Sequence, residues 1–564
     1  MLAGLSLLVP VFTGALGTRA EAATTTALAP PANLIANPSM EKSTDGVTPT
    51  GWHPGYWGTN TRRFSYSSSA HSGSKSVTVT ITSYASGTAK WYPDPVTVIA
   101  GQAYDYGDWY QSNVTTSVVA AYLDGSGHYT YGDLPKAAPS TNWAHYTASF
   151  KVPPGTVKVS IYHSIGAIGS LSLDDASLLP HNLITNSSME QSANGVRPTG
   201  WLTDSWGTNT TTFSYVNDGY NGSKSVRTDI TSYASGAAKW YFQPVTVGGD
   251  QSYLFSAWLK TSTQPQVTVL YQMQNGTTRY ERAPTPLVTS SAATAWQNYA
   301  TVITAPDGAE SATVLIAISS VGWLETDDYS LTAYRQSGFS EPLVSLTFDD
   351  GLLSTYTNGL PLLKKYGLIS TEYIVSGKIG TASHMSASQI SDFQTGGSEI
   401  ASHTVDHTDL TTLSSSQADV ELSQSQATLR QLFGSSVAAD FASPYGQYNY
   451  PVITAIKTYY RSHRSIDAGF NSKDGFDPYD VKVQNVNSDT TPAEVAGWVN
   501  HAIATKTWLV LVYHGVEDQV PSGDPYTVST SDLDNELAQV KASGVKVVTM
   551  NEALNEITSQ LPAS

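Results

Sequence analysis

The period of the apolar positions divides the chain into two kinds of region. Up to about Tyr334, short runs alternate apolar with polar residues, as in Ser76-Val77-Thr78-Val79-Thr80-Ile81 and Thr156-Val157-Lys158-Val159-Ser160, with Gly, Ser, Asn and Pro between them. A period of two turns one side of each run to a core and the other to solvent, which predicts half-buried strands of packed antiparallel sheets. After Tyr334 the pattern changes. Leu343 to Phe348 and Leu509 to Tyr513 are continuous apolar runs, as expected of strands buried on both faces. Between them, Ser354 to Tyr366 and Ser386 to Thr395 read as helices, Thr371 to Val375 reads as a strand, and Ser414-Ser415-Ser416-Gln417 is a capping box opening a helix that ends at Gly434. Strand alternating with helix predicts an α/β barrel or an open α/β sheet.

Internal repetition fixes the boundaries within the β-rich part. Asn33-Leu34-Ile35-Ala36-Asn37 recurs as Asn182-Leu183-Ile184-Thr185-Asn186, Trp57-Gly58-Thr59-Asn60 as Trp206-Gly207-Thr208-Asn209, and Lys90-Trp91-Tyr92 as Lys239-Trp240-Tyr241, at a constant offset of 149 residues. By Trp143 and Trp296 the offset is 153, so the second copy carries four extra residues, expected in a loop. The copies, 32–180 and 181–335, are each expected to form a β-sandwich, and about 150 residues suits a jelly roll. A short linker, Arg335 to Glu341, leads to the α/β domain over 341–560. At the other end, the apolar run Leu2 to Leu16 followed by Ala20-Glu21-Ala22 reads as a signal peptide over 1–22, with a linker over 23–31, which implies secretion to the extracellular space. No later run approaches the roughly 18 apolar residues needed to span a bilayer.

Composition narrows the partners. Of 564 residues 13% are charged and the net charge is −17, with no Lys/Arg cluster able to neutralise a phosphate backbone or an anionic membrane, so nucleic acid is not an expected partner. There is no cysteine, hence no disulfide and no thiolate chemistry. The chain is expected to act as a monomer.

Titratable residues gather at the C-terminal ends of the α/β strands, where such folds place their chemistry. Asp349-Asp350 closes the first strand, His403 and His407 follow Glu399 to Ser402, and His514 follows Tyr513. Two imidazoles with a carboxylate leave open positions for water and substrate, and suit Zn²⁺ or a similar divalent ion such as Co²⁺. In the β-rich copies, aromatic rings are candidates for stacking on a ligand with a flat, partly apolar face. The candidates are Trp57, Tyr84, Trp91 and Tyr92, with Trp206, Tyr233, Trp240 and Tyr241, while Trp52, Trp201, Trp109 and Trp258 are assigned to cores.

The opening Asn-Leu-Ile-x-Asn-x-Ser-Met-Glu, the Gly-Trp and the closing Leu-x-x-Asp-Asp of each copy resemble carbohydrate-binding modules of families 4 and 9. That resemblance implies a structural Ca²⁺ joining Glu41 with Asp174 and Glu190 with Asp327, residue types that suit calcium. Thr347-Phe348-Asp349-Asp350-Gly351, His403-Thr404-Val405-Asp406-His407, Ser443-Pro444-Tyr445-Gly446 and Val512-Tyr513-His514-Gly515, in this order, resemble the motifs of the polysaccharide deacetylase family, carbohydrate esterase family 4 with its NodB-type domain. The resemblance covers about residues 341 to 558. It implies a distorted (β/α) barrel of seven or so strands that removes acetyl groups from amino-sugar polymers or acetylated xylan. By position, Asp350, His403 and His407 would hold the metal, Asp349 would be the general base and His514 the general acid. The backbone N–H of Tyr445 would help hold the oxyanion, and Pro444 and Val512 would touch substrate.

The chain departs from the family pattern in two places. Ala442 stands where the third motif usually has an Arg paired with the catalytic Asp, and Arg464-Ser465-Ile466-Asp467-Ala468-Gly469 replaces the usual fourth motif. Arg464 is expected to reach Asp349 from that segment, its planar guanidinium being suited to a carboxylate, with Arg461 as a weaker substitute. The expected activity is N-deacetylation of a GlcNAc polymer such as chitin, peptidoglycan or an exopolysaccharide. The alternatives are an acetylxylan esterase and a catalytically weakened polysaccharide-binding protein.

Overall fold

A computed structural model describes residues 32–561 apart from 287, 289–293 and 475. The expected signal peptide over 1–22 and linker over 23–31 lie outside the described residues. Among the described residues no helix is long and apolar enough to cross a membrane.

Alternation becomes burial in the first repeat. In the strand Ser76–Tyr84, Val77, Val79 and Ile81 are buried while Thr78 and Thr80 are partly exposed. Two antiparallel sheets result. One runs in the order Trp52–Trp57, Thr88–Pro93, Thr156–Ile165, Thr116–Asp124, Tyr129–Ala137, and the other Asn60–Ser67, Ser76–Tyr84, Gly169–Pro180, Ala103–Ser112, Ser140–Lys151. Their inner faces share one core, where Trp91, Val118 and Ile161 meet Val79, Tyr106 and Leu173. The second repeat reproduces this order strand for strand around its own core. Its four extra residues fall after the strand Thr278–Ala283 and before Trp296, in a connection.

The cores take some of the rings that the sequence assigns to sugar. Trp91 is 3% exposed and Trp240 is likewise buried, and their Nε1 atoms donate to Thr78 O and Arg227 O. An indole fixed in this way presents no face to a ligand. Trp52 and Trp201 are buried as expected, but Trp109 and Trp258 are half-buried, stacked on His71 and Tyr220 at 3.8 and 3.7 Å. Trp57, Trp206, Tyr84 and Tyr233 are exposed at strand ends. Tyr92 is half-buried on an outer sheet face in a row of rings, 5.0 Å from Tyr162, which is 6.4 Å from Tyr131, itself 6.3 Å from Tyr129.

The carboxylates expected to hold calcium meet backbone donors instead. Glu41 Oε1 accepts from the N–H groups of Ser74 and Lys75, and Asp174 Oδ2 from those of His71 and Ser72. Glu190 and Asp327 do the same with Ser223, Lys224, Tyr220 and Asn221. None of the four has a buried oxygen without a hydrogen-bond partner.

The C-terminal domain is a parallel barrel. Leu343–Phe348, Thr371–Ile374, Glu399–Ser402, Asp440–Ala442, Ser462–Ala468, Val481–Asn485 and Trp508–Tyr513 pair in chain order, and the first strand pairs with both the second and the last, closing the ring. A short strand, Lys546–Val547, adds beside Leu343 and Val344. Alternate residues face opposite ways. Leu343, Tyr373, Ala401, Ala442, Trp508, Val510 and Val512 pack together inside, whereas Val344, Leu346, Phe348, Leu509 and Leu511 pack against the surrounding helices. Helices start at capping boxes on Ser386, Ser414, Thr491 and Thr549. The helix read from Ser354 begins as a π turn, Thr355–Gly359, before Leu360–Tyr366. Side chains explain the widening, because Thr355 Oγ1 donates to His514 O and Asn358 Nδ2 to Val516 O, tying this turn to the loop after the last barrel strand.

The two tryptophan classes separate by stability. Trp91→Ala should cost about 3–5 kcal/mol and Trp57→Ala no more than about 0.5 kcal/mol. Denaturant unfolding of the full chain measures both, and similar losses would contradict the assignment of Trp91 to the core.

Candidate active site

Strand alternation carries the chemistry to the barrel mouth. Continuing the inward positions one step past each strand takes Thr347 to Asp349, Ala401 to His403 and Val512 to His514, while Arg464 points inward from within its own strand. Asp350, the next residue, would face outward in an extended chain. Instead it adopts φ 71°, followed by Gly351 at φ 67°, and the carboxylate returns to the mouth. Thr404, His407 and Tyr445 also hold left-handed backbone, at φ 68°, 62° and 56°. Each costs on the order of 1 kcal/mol, the kind of local strain that collects at functional sites.

Asp350, His403 and His407 offer ligand atoms that all lie within 4.8 Å of one another. Asp350 Oδ1 is 3.1 Å from His407 Nε2 and 3.6 Å from His403 Nε2, yet it is buried without a well-formed hydrogen bond. The other nitrogen of His403, Nδ1, contacts Ala442 O at 2.8 Å, so it carries the proton and leaves Nε2 as a lone pair facing Asp350. Burial lowers the His403 pKa to about 4, which keeps the ring neutral. For Asp350 burial works against ionisation, but the His407 contact outweighs it and holds the carboxyl below its ordinary range. An anionic oxygen facing two imidazole nitrogens, with no donor of its own, fits a divalent cation.

Asp349 faces the other way. Arg464, 1% exposed, places Nη2 2.5 Å from Asp349 Oδ1, and its Nη1 donates to Ser465 O at 3.0 Å. The contact uses one nitrogen and is not the two-pronged fork that the planar group allows. The guanidinium lies over the Tyr373 ring at 4.5 Å. Arg461 is elsewhere, gripping Asp440 with Nε and Nη2. Burial opposes the Asp349 charge, but Arg464 outweighs it and holds the pKa below the usual carboxylate value. His514 Nε2 is 3.8 Å from Asp349 Oδ2, and its Nδ1 is buried without a hydrogen-bond partner. Asp349 N donates to Tyr513 O at 3.0 Å, locking the two strand ends together.

These groups line a cleft of about 940 Å³ that also exposes Tyr445 and Tyr526. The Tyr445 ring packs against His407 at 4.6 Å. Val512 and Pro444, expected to touch substrate, are buried and do not line the cleft. The module candidates Trp57, Tyr84, Trp91, Tyr92, Trp206, Tyr233, Trp240 and Tyr241 do not line it either. One wall comes from Thr277 to Arg282 of the second repeat, which sequence reasoning missed. Nothing in that run resembles a catalytic motif, and its nearness to the barrel is a property of domain packing alone.

Residues 336–460 match the Polysaccharide deacetylase family, a span that holds Asp349, Asp350, His403, His407 and Tyr445 and stops short of Arg464 and His514. The C-terminal region therefore carries a polysaccharide deacetylase domain. A curated relative, the "Putative polysaccharide deacetylase YxkH" of Bacillus subtilis (strain 168), is 29% identical over 161 residues, which is 27% of this chain. The chain thus spans 57% of the length of that relative. Among solved structures, the Xyl-CE4 domain of a multidomain xylanase from the hindgut metagenome of Trinervitermes trinervoides is 20% identical, covering 40% of this chain and 94% of its own, with a TM-score of 0.28. The N-terminal CBM22-1-CBM22-2 tandem domain of Paenibacillus barcinonensis Xyn10C is 14% identical, covering 55% of this chain and all of its own, with a TM-score of 0.25.

The Asp349–Arg464 pair makes its own prediction. Arg464→Lys should lower kcat by about tenfold or more with little change in KM, because the point charge of lysine holds the carboxylate less well than the guanidinium. Weakening the pair raises the Asp349 pKa, so the acid limb of the kcat/KM profile should move to higher pH. Wild-type kinetics and an unmoved limb would show that Arg464 does not orient Asp349.

Proposed function

We propose that this chain is a secreted, metal-dependent polysaccharide deacetylase that removes N-acetyl groups from a GlcNAc-containing polymer. The observation that carries this reading is the separation of two adjacent carboxylates: Asp350 faces His403 and His407, while Asp349 faces Arg464 and His514. The first set suits a metal and the second suits proton transfer.

Asp350, His403 and His407 would hold a divalent cation, zinc or cobalt by the donor set, which would supply Lewis acidity towards the acetyl oxygen and the attacking water. Asp349, kept ionised by Arg464, takes the proton of the attacking water as its oxygen bonds to the acetyl carbon. The backbone N–H of Tyr445 donates to the oxyanion that forms. His514 Nε2, 3.8 Å from Asp349 Oδ2, gives a proton to the departing nitrogen as the C–N bond breaks, releasing acetate and a free amine. An amine leaves only when protonated, and His514 is read as the donor of that proton.

The two sandwiches are read as jelly-roll carbohydrate-binding modules. That reading is supported by their strand order and by the row Tyr92, Tyr162, Tyr131 and Tyr129 across one sheet of the first repeat, since pyranose C–H faces stack on such rings. Secretion rests on the leader-like pattern over 1–22.

Acetate release from a panel of N-acetylated glycans and acetylxylan tests the proposal. Release from the N-acetylated polymer should stop after chelation and return with Zn²⁺ or Co²⁺. Asp349→Asn should lower kcat by about a hundredfold to ten-thousandfold while the metal content stays at the wild-type level, whereas Asp350→Asn should lose metal. Full activity in a metal-free preparation, or release from acetylxylan alone, would overturn the reading.

A further inference from the structure

The strand Thr278–Ala283 lies at the edge of its sheet in the second repeat. Alternation divides its side chains: Ala283 enters the core with Val267 and Val269, and Tyr280 and Arg282 project from the opposite face. That outer face meets the barrel. Arg282 Nε is 3.1 Å from Asp467 Oδ1, a fully buried carboxylate whose other oxygen accepts from Tyr448 Oη at 2.6 Å. Tyr448 Oη in turn accepts from the N–H of Thr285 at 2.8 Å. Nearby, Arg279 Nη1 is 3.3 Å from Glu494 Oε1. The connection to the barrel is packed as well. Phe339 is buried and its N–H donates to Lys506 O, and a Cβ at Gly338 would stand 2.3 Å from Thr505 O, so only glycine passes there.

The second repeat is thus fastened to the strand Ser462–Ala468, which carries Arg464 as well as Asp467. Tyr280 takes no part in the fastening. It is 64% exposed and lines the catalytic cleft together with Tyr445 and Tyr526. A ring that served only to pack the interface would be buried. The repeat supplies a comparison, because Tyr280 occupies the register of Tyr131, which pairs with Ala121 as Tyr280 pairs with Leu270. In the first repeat Tyr131 belongs to a row of tyrosines. In the second, Leu315 and Thr278 stand at the places of Tyr162 and Tyr129, and the ring that remains at this edge is the one facing the catalytic cleft.

We propose that the second repeat supplies a substrate subsite of the deacetylase, in which Tyr280 stacks on a sugar ring of the same chain, beyond the pair that a disaccharide fills at the reacting centre. The proposal rests on the glycan reading given above and names a part of the site that lies outside the barrel. Exposed aromatic rings suit pyranose C–H faces, and the cleft runs unbroken from Tyr280 to Asp349 and His514.

Steady-state kinetics of the full chain on N-acetylated chito-oligosaccharides, from disaccharide to hexasaccharide, test it. Tyr280→Ala should raise KM for the hexasaccharide about threefold to tenfold with kcat within about twofold, and the penalty should shrink as the chain shortens. Tyr280→Phe, which keeps the ring and drops the hydroxyl, should restore the wild-type KM. No penalty at any length, or the same penalty at every length, would overturn the subsite. If the wild-type chain released no acetate from any oligosaccharide, the functional reading would fail instead. Calorimetric binding of the hexasaccharide to the wild type and Tyr280→Ala would then decide the subsite separately, with equal affinities overturning it.

Discussion

Two opposite charges, Asp349 and Arg464, are held out of water at the mouth of the barrel, and much of the surrounding architecture serves to keep them together. Burying either alone would cost several kcal/mol, and mutual attraction offsets this only where the geometry is maintained. The closed barrel maintains it from both sides. Asp349 is tied by its N–H to Tyr513 O on the neighbouring strand, and Arg464 rests on the Tyr373 ring with Nη1 on Ser465 O. The strand carrying Arg464 also carries Asp467, whose carboxylate meets Arg282 of the second repeat at the domain boundary. Arg464 also does electrostatic work, holding the buried Asp349 carboxylate ionised.

Adjacent aspartates acquire different duties through one backbone torsion. Asp349 follows the inward phase of its strand, and Asp350, one residue on, reaches the same cavity only through a left-handed turn completed by Gly351. The two carboxylates therefore approach from different directions and meet different partners. Neutral His403, its proton committed to Ala442 O, keeps a lone pair directed at Asp350. Ala442 thus contributes its carbonyl to the cluster, although its side chain cannot contribute the charge that the family pattern has there.

The two sandwiches share one strand order and differ on their outer faces. The first repeat keeps a row of tyrosines open to solvent, whereas the corresponding edge of the second repeat is turned to the barrel and lined by Arg279, Tyr280 and Arg282. The same alternation that makes a sandwich core leaves an outer face free, and contact with the barrel turns part of that face into a wall of the cleft.

The sequence by itself determined whatever depends on chain neighbours. The period of two in Ser76 to Ile81 is enough for a half-buried strand, and the continuous run Leu343 to Phe348 for a strand covered on both sides. The offset of 149 residues is enough for two like domains, and Asp349, His403 and His514 were legible as strand-end groups. Tertiary structure decided what depends on which surfaces meet. Trp91 and Trp57 carry equal promise as rings, and sheet packing buries one and exposes the other. Trp109, read as core, lies half-buried under His71 because its strand presents it outward. The wall at Tyr280 belongs to another domain, whereas Arg464, 115 residues from Asp349, was expected as its partner only by way of the family resemblance. Periodicity and motif spacing record local constraints, whereas these contacts arise only after separate elements have closed on one another, and no local pattern encodes that closure.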